Sequence, residues 1–161
     1  MADNAFDPAP VLIVGAVTWD IVDGERVPGG AVTYAARAAK ALGVRAYILL
    51  IAGDDADLAA FDPHEVAVVR VEQTMTLEHR FRDGTRHQRV LARPARGLHP
   101  SDLPSDCPIP RTVVLGTLLP GDIDVPAFLD LGAGETALIA QGLQRRIAAD
   151  GTITDLDAPS P

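Results

Sequence analysis

Pro28-Gly-Gly-Ala-Val-Thr-Tyr-Ala-Ala-Arg-Ala-Ala-Lys-Ala-Leu-Gly43 is where the chain changes its period. Ala31, Tyr34, Ala35, Ala38, Ala41 and Leu42 share one helical face, and Thr33, Arg37 and Lys40 share another. Gly43 stands where a helix C-terminal glycine belongs. The spacing predicts a helix over 31–42, with alanines that let it lie close to a sheet. On either side are short apolar runs, Val11-Leu-Ile-Val-Gly15 and Ala46-Tyr-Ile-Leu-Leu-Ile51, each expected to be a buried strand. Strand, helix and strand at these intervals suit a right-handed βαβ unit. The expected fold class is therefore α/β, a mainly parallel twisted sheet flanked by helices.

Further strands are expected at Val66–Val71, Thr112–Leu115 and Thr136–Gln141, with short helices at Asp55–Phe61 and Asp124–Leu131. Two hairpins interrupt this pattern. Thr18-Trp-Asp-Ile-Val22 turns at Asp23-Gly24 and returns through Arg26-Val27. Leu77-Glu-His-Arg-Phe81 turns at Asp83-Gly84 and returns through Gln88-Arg-Val-Leu-Ala92; Asp-Gly between strand-like runs is a strong hairpin signal. A loop rich in Pro, Ser and Asp is expected over 94–110. Residues 1–10 are expected to be a flexible tail, 11–153 the domain, and 154–161 a second frayed tail.

Composition narrows the function classes. The chain has 161 residues, 47% of them hydrophobic but only 4% aromatic, so Ala, Val, Leu and Ile must build one domain core. A formal charge of -8 argues against a general nucleic-acid binder, whose phosphate contacts need clustered cations. The local exception is the arginine-rich stretch Arg80 to Arg96. The single cysteine, Cys107, excludes an intramolecular disulfide, and no Cys/His spacing suggests a metal. No apolar run is long enough to span a membrane and the first ten residues lack a signal-peptide pattern, so a cytoplasmic location is expected.

Asp20 and the pair Gly29-Gly30 hold the chemistry that can be read from residues alone. A carboxylate just beyond a buried strand accepts hydrogen bonds from polyol hydroxyls; the competing reading is a solvated turn residue. Glycines at a helix start let backbone approach a ligand and leave amides free to donate. A phosphate cradle and a plain turn are the other readings, although neither G-x-x-x-x-G-K-[ST] nor G-x-G-x-x-G is present at a strand–helix junction.

Three segments in order, Gly15-Ala-Val-Thr-Trp-Asp20, Pro28–Gly43 and Ile51-Ala-Gly-Asp-Asp55, resemble the opening of ribokinase-like (PfkB) sugar kinases. The resemblance covers roughly residues 10 to 145. It implies a three-layer, Rossmann-like domain with a small β lid from segments 18–28 and 74–92. It also implies a substrate site at Asp20, Gly29, Gly30 and Tyr34. Most members carry asparagine where this chain has Tyr34, which puts ribose or fructose phosphate in doubt and suits a divergent branch, of which inositol-kinase-like members are one example. The resemblance makes Asp83-Gly-Thr-Arg-His-Gln-Arg89 the lid turn, with Arg82, Arg86 and Gln88 as lid residues that either meet a substrate or stay solvated. Gln141-Gly-Leu-Gln-Arg-Arg146 is similar to a strand-end segment of some members and is given little mechanistic weight.

The same resemblance implies ATP and Mg2+ as cofactors and a catalytic aspartate in a Gly-Ala-Gly-Asp motif far downstream, in a C-terminal half not found here. Glu135 in Gly132-Ala-Gly-Glu135 is the one rival base, disfavoured by its early position and by the strand-like Thr136-Ala-Leu-Ile-Ala140 after it. The expected function is the substrate-binding portion of a carbohydrate kinase whose intact relatives phosphorylate a sugar, inositol or nucleoside. The chain alone is expected to be inactive and to bind ATP poorly. A homodimer through the lid or a complementary C-terminal half would be its partner, and apolar surface is expected where that half docks. The rival classes are a regulatory module on a degenerate kinase scaffold and an unrelated nucleotide-binding domain.

Overall fold

The computed structural model describes residues 11–62, 64–107 and 110–156; the two predicted tails lie outside them, apart from 154–156. In chain order the elements are β1 (Val11–Ala16), β2 (Thr18–Val22), β3 (Glu25–Gly29), α1 (Ala31–Ala41), β4 (Ala46–Ala52), β5 (Glu65–Arg70), β6 (Met75–Arg82) and β7 (Thr85–Ala92). They continue with β8 (Thr112–Gly116), α2 (Val125–Leu129), β9 (Glu135–Ile139), β10 (Arg145–Ile147) and β11 (Thr152–Asp155).

Two sheets form. The first is parallel throughout, in the order β5-β4-β1-β8-β9. The second has the order β10-β11-β7-β6-β2-β3 and is the lid. The expected hairpins are present, and their Asp-Gly turns have positive φ at both residues, 52° and 85° at Asp23-Gly24 and 49° and 74° at Asp83-Gly84. That backbone twist matches the flanking strands, which is why Asp-Gly is selected there.

The core lies on both faces of the parallel sheet. On one face Ile13, Ile48 and Leu50 pack under Val32, Ala36 and Ala39 of α1, with Phe61 beside them. On the other, Leu12, Val14, Leu49 and Leu115 pack with Phe128 of α2 and with Met75 and Leu77 of the lid. Helix, sheet, and α2 with the lid thus make three layers.

Several expectations need correction. The face of α1 turned to the sheet is Val32, Thr33, Ala36 and Ala39; Tyr34, Ala38, Ala41 and Leu42 are exposed. Alanine on every side left the helix's apolar face ambiguous, and contact with two strand-end glycines decides it. A Cβ on Gly15 would lie 3.0 Å from Val32 Cβ, and one on Gly116 would lie 2.9 Å from Ala31 Cβ. The helix expected at 55–61 is only a single turn at Ala59–Phe61, because the Asp55 carboxylate is engaged elsewhere. It accepts the Thr74 hydroxyl at 2.6 Å and pairs with Arg26, pinning the lid to the end of β4. The predicted strand 136–141 begins at Glu135 and ends at Ile139, giving way to a short 3-10 helix at Ala140–Gln144.

The largest departure is at the carboxyl end. The tail expected from Thr154 is in part strand β11, paired with β10 and with β7. A third Asp-Gly turn makes it: Gly151 has φ 88°, and the Thr152 amide donates to Asp150 Oδ1 at 2.9 Å. Among the described residues β9 is an outer strand of the parallel sheet, and all five of its residues are exposed, Leu138 and Ile139 included.

Gly30 and Gly43 bound the same helix in different ways, and substitution should separate them. At Gly30 φ is 96° and a Cβ would collide with the Ala16 carbonyl; at Gly43 φ is 66° and nothing lies within 4 Å. Gly30→Ala is expected to cost about 3 kcal/mol or more, and Gly43→Ala about 1 kcal/mol, in denaturant unfolding. Equal costs would mean that the Gly30 contact is not rigid.

Candidate polyol-binding cleft

In the parallel sheet the chain proceeds from β1 to β4 and β5 on one side, then returns to β8 and β9 on the other. The order reverses between β1 and β8, and in open α/β sheets ligands settle beyond the carboxyl ends of the strands at such a point. A cleft of about 250 Å³ lies there. Its lining comes from the segment after β1 (Thr18, Asp20), the start of α1 (Gly30, Ala31, Tyr34), the lid (Leu77, His79, Arg86, Gln88), the segments after β8 and β9 (Leu118, Gln141), and β10 (Arg145).

Asp20 is held rather than loose. Its Oδ1 accepts the Thr18 hydroxyl at 2.9 Å and lies 3.5 Å from His79 Nε2, with the Asp20 side chain 24% exposed and that of His79 10%. The separation from His79 is too long for a good hydrogen bond, and the buried Nε2 has no other partner. At the other ring nitrogen, Gln88 Nε2 stands 3.2 Å from His79 Nδ1, while Gln88 Oε1 accepts from Arg145 Nη2 at 2.7 Å. Because the Gln88 oxygen is committed to a guanidinium, its amide nitrogen must donate to His79 Nδ1. The proton of a neutral His79 is thereby placed on Nε2, toward Asp20. A carboxylate acceptor and an unspent N–H donor thus stand side by side, which is what a hydroxyl group can satisfy in both directions.

Arg145 anchors the far end of this chain of bonds. Its Nη1 donates to the Leu118 carbonyl at 3.0 Å, and the residue is 5% exposed. The Leu118 and Leu119 amides in turn donate to Asp122 Oδ2 at 2.6 and 3.1 Å. Burial pushes the Asp122 carboxyl up to about 6, against the pull of those amides. Gly142 lets the segment after β9 press onto this loop: a Cβ there would lie 2.8 Å from the Leu119 nitrogen.

The sequence-predicted site residues are therefore sorted. Asp20, Gly30, Tyr34, Arg86 and Gln88 come together in the cleft; Tyr34, 57% exposed, stands at its rim. Gly29 does not line it: the space of its missing Cβ is filled by the Asp20 carboxylate and by Thr18 Oγ1, 2.6 Å away. Arg82, beside the lid turn, does not line the cleft either. Glu135 pairs with Thr112 at the amino ends of the parallel strands, so it is no base for a ligand held at their carboxyl ends. His79, Gln141 and Arg145 were missed. The segment 141–146, given little weight from sequence, carries two of them. Among the described residues no group of three His, Cys, Asp or Glu side chains stands together as a metal-ligand cluster.

No family model and no curated protein matches the chain. Solved structures do. A pyrophosphate-dependent kinase in the ribokinase family, complexed with a pyrophosphate analog and myo-inositol, superposes with a TM-score of 0.69 at 21% identity, over 90% of this chain and 54% of that one. The structure of a pyrophosphate-dependent myo-inositol-1 kinase converted into a myo-inositol-3 kinase gives 0.70 at 21% identity, over 90% and 52%. An uncharacterized sugar kinase from Pyrococcus horikoshii gives 0.53 at 16%, over 66% and 42%. The chain has the ribokinase-like fold and spans about half the length of the two myo-inositol-related kinase structures. A shared fold at this identity leaves function to be argued from the site.

The raised Asp122 carboxyl has a thermodynamic signature. Between the unfolded value near 3.8 and the folded value of about 6, the folded chain holds a proton that the unfolded chain has lost. Stability contributed by that proton is full below the unfolded value and falls as pH rises through about 6, by on the order of 3 kcal/mol in total. Carboxylates held low by partners, such as Asp55 beside Thr74 and Asp102 beside Arg96, act below this window. Asp122→Asn is expected to flatten the pH 4–6 decline of the melting temperature; an identical slope in the variant would sink the assignment.

Proposed function

We propose that this chain is the polyol-binding portion of a ribokinase-like carbohydrate kinase and that it binds its ligand without phosphorylating it. The observation that carries the reading is the Asp20–His79 pair, an acceptor and an orphaned buried donor 3.5 Å apart at the topological switch point. A ligand hydroxyl would donate to the carboxylate and accept from Nε2–H, and the adjoining Thr18 hydroxyl fixes which Asp20 oxygen is already engaged. Burial of His79 Nε2 raises the cost of leaving it unpaired, which favours a hydroxyl ligand over an apolar one.

Tyr34 at the rim fits a ring-shaped polyol better than a linear one, since its face is open to stack while Arg37 lies 5.8 Å from its centroid on one side. Two matched structures are of kinases acting on, or complexed with, myo-inositol, which makes it the first ligand to try. Transfer is assigned elsewhere: Glu135, which follows Gly134, stands at the amino ends of the parallel strands, away from the cleft. The exposed β9 edge, with Leu138 and Ile139, is where a complementary half would extend the sheet.

Calorimetry on the full chain tests the reading. A myo-inositol or sugar-ring polyol should bind, and Asp20→Ala should weaken it by about 10- to 100-fold in a variant whose melting curve, shifted down by the lost Thr18 contact, shows it still folded at the assay temperature. No phosphorylated product should appear with ATP or pyrophosphate. Binding indifferent to Asp20, or sustained turnover by the pure chain, would each refute one half of the proposal.

A further inference from the structure

The cleft contains charge that a neutral polyol leaves unused. Arg145 is buried, and although two of its nitrogens donate to Leu118 and Gln88, its Nε has no partner. Arg86, two residues before Gln88 on β7, lies on the same face of the lid and lines the same cleft. Among the described residues its side chain makes no hydrogen bond or ion pair. The two guanidiniums are close enough to disfavour each other: burial first, and then Arg86, lower the Arg145 pKa, against weaker pulls from Asp155 and Asp122. Neither of those carboxylates comes within ion-pair distance of Arg145.

Two like charges beside one cleft, Arg145 buried and Arg86 exposed, are an arrangement that a bound anion relieves. Asp20 repels an anion from its own end of the cleft, so hydroxyl and anion recognition are divided between different side chains. Gln88 ties the two parts together, accepting from Arg145 while donating to His79. Guanidinium forks match phosphate and carboxylate oxygens better than they match hydroxyls.

We infer that the ligand of this cleft is a polyol carrying an anionic group, a phosphate monoester or a carboxylate, with its hydroxyls at Asp20 and His79 and its anion at Arg86 and Arg145. This rests on the polyol reading above and narrows it to one substrate class. The same anion chemistry could be supplied by free phosphate or by a phosphoryl donor, so the test separates the sources.

Two pairs of probes serve, myo-inositol with myo-inositol 1-phosphate and D-ribose with D-ribose 5-phosphate, alongside inorganic phosphate and pyrophosphate, all by calorimetry on the full chain. In at least one pair the ester should bind tighter by roughly tenfold or more, with the advantage shrinking as salt is raised. Arg86→Gln, at an exposed position, should reduce the ester-to-polyol ratio to within about threefold. If the neutral polyols bind as well as their esters, the inference fails while the polyol reading stands. Phosphate or pyrophosphate binding as tightly as the esters, and unaffected by Asp20→Ala, would also overturn it, because the anion would then belong to no polyol. Absence of binding by any polyol or ester would overturn the inference and the reading beneath it together.

Discussion

The cleft exists because backbone at residues 29–30 passes where side chains would not fit. Asp20 Oδ2 occupies the space beside Gly29, and the Ala16 carbonyl occupies the space beside Gly30. The β2–β3 hairpin can therefore fold back tightly enough to start α1 against the carboxyl ends of β1 and β8. Gly15 and Gly116 extend the same device, accepting Val32 and Ala31 at near-contact distance. A left-handed or extended-positive φ costs a non-glycine residue on the order of 1–3 kcal/mol, and the collisions add to that. At Gly30, where positive φ and a collision coincide, such a sum is a large fraction of a small domain's stability. Thr33 closes the arrangement by donating its hydroxyl to the Gly29 carbonyl at 2.7 Å.

What lies above this platform is a polar chain that runs Leu118, Arg145, Gln88, His79, Asp20, Thr18. Each link constrains the next: the Arg145 bond fixes the orientation of the Gln88 amide, and that amide fixes the His79 tautomer. In a low-dielectric setting such networks are stabilising when complete and costly when a member lacks a partner. This one lacks partners at His79 Nε2 and at Arg145 Nε, both buried. Native interiors rarely leave such groups unpaired without reason, and here both unpaired atoms belong to residues lining one cleft.

The first βαβ unit and both lid hairpins were legible because their signals are local: β-branched runs, glycine stops, and Asp-Gly between strands. The β10–β11 hairpin carries the same Asp-Gly signal at 150–151, between Arg145–Ile147 and Thr152–Asp155. It was missed because those strands are short and half polar, and the pairing of β11 to β7 is long-range. Asp20 and Gly30 were legible as cleft residues from their place after a strand and before a helix. His79 and Arg145 were not, since 66 residues of sequence separate them and only Gln88 joins them in space. The buried face of α1 could not be chosen by periodicity when alanine occurs on every side. Glu135 shows the converse: its early position and the strand-like run after it already disfavoured it as a base, and strand register places it at the amino end of the sheet.

The division between a finished cleft and an open sheet edge follows from the same topology. Every wall of the cleft comes from elements within 18–145, because the switch point lies between β1 and β8 and the lid folds over it. The sheet, by contrast, ends on β9 with five exposed residues, including Leu138 and Ile139 on opposite faces. A strand buried on one face exposes one side-chain row; a strand exposed on both has neither layer in place. Ligand recognition needs only the preorganised donors and acceptors already assembled beyond β1 and β8. Phosphoryl transfer further requires a base and a donor site positioned against the same ligand. An element adding to β9 would lie on the cleft's Gln141 side, since Gln141 directly follows that strand's segment. On the polyol-binding proposal, recognition and transfer would separate along this one structural boundary, with the assembled cleft on the binding side of it.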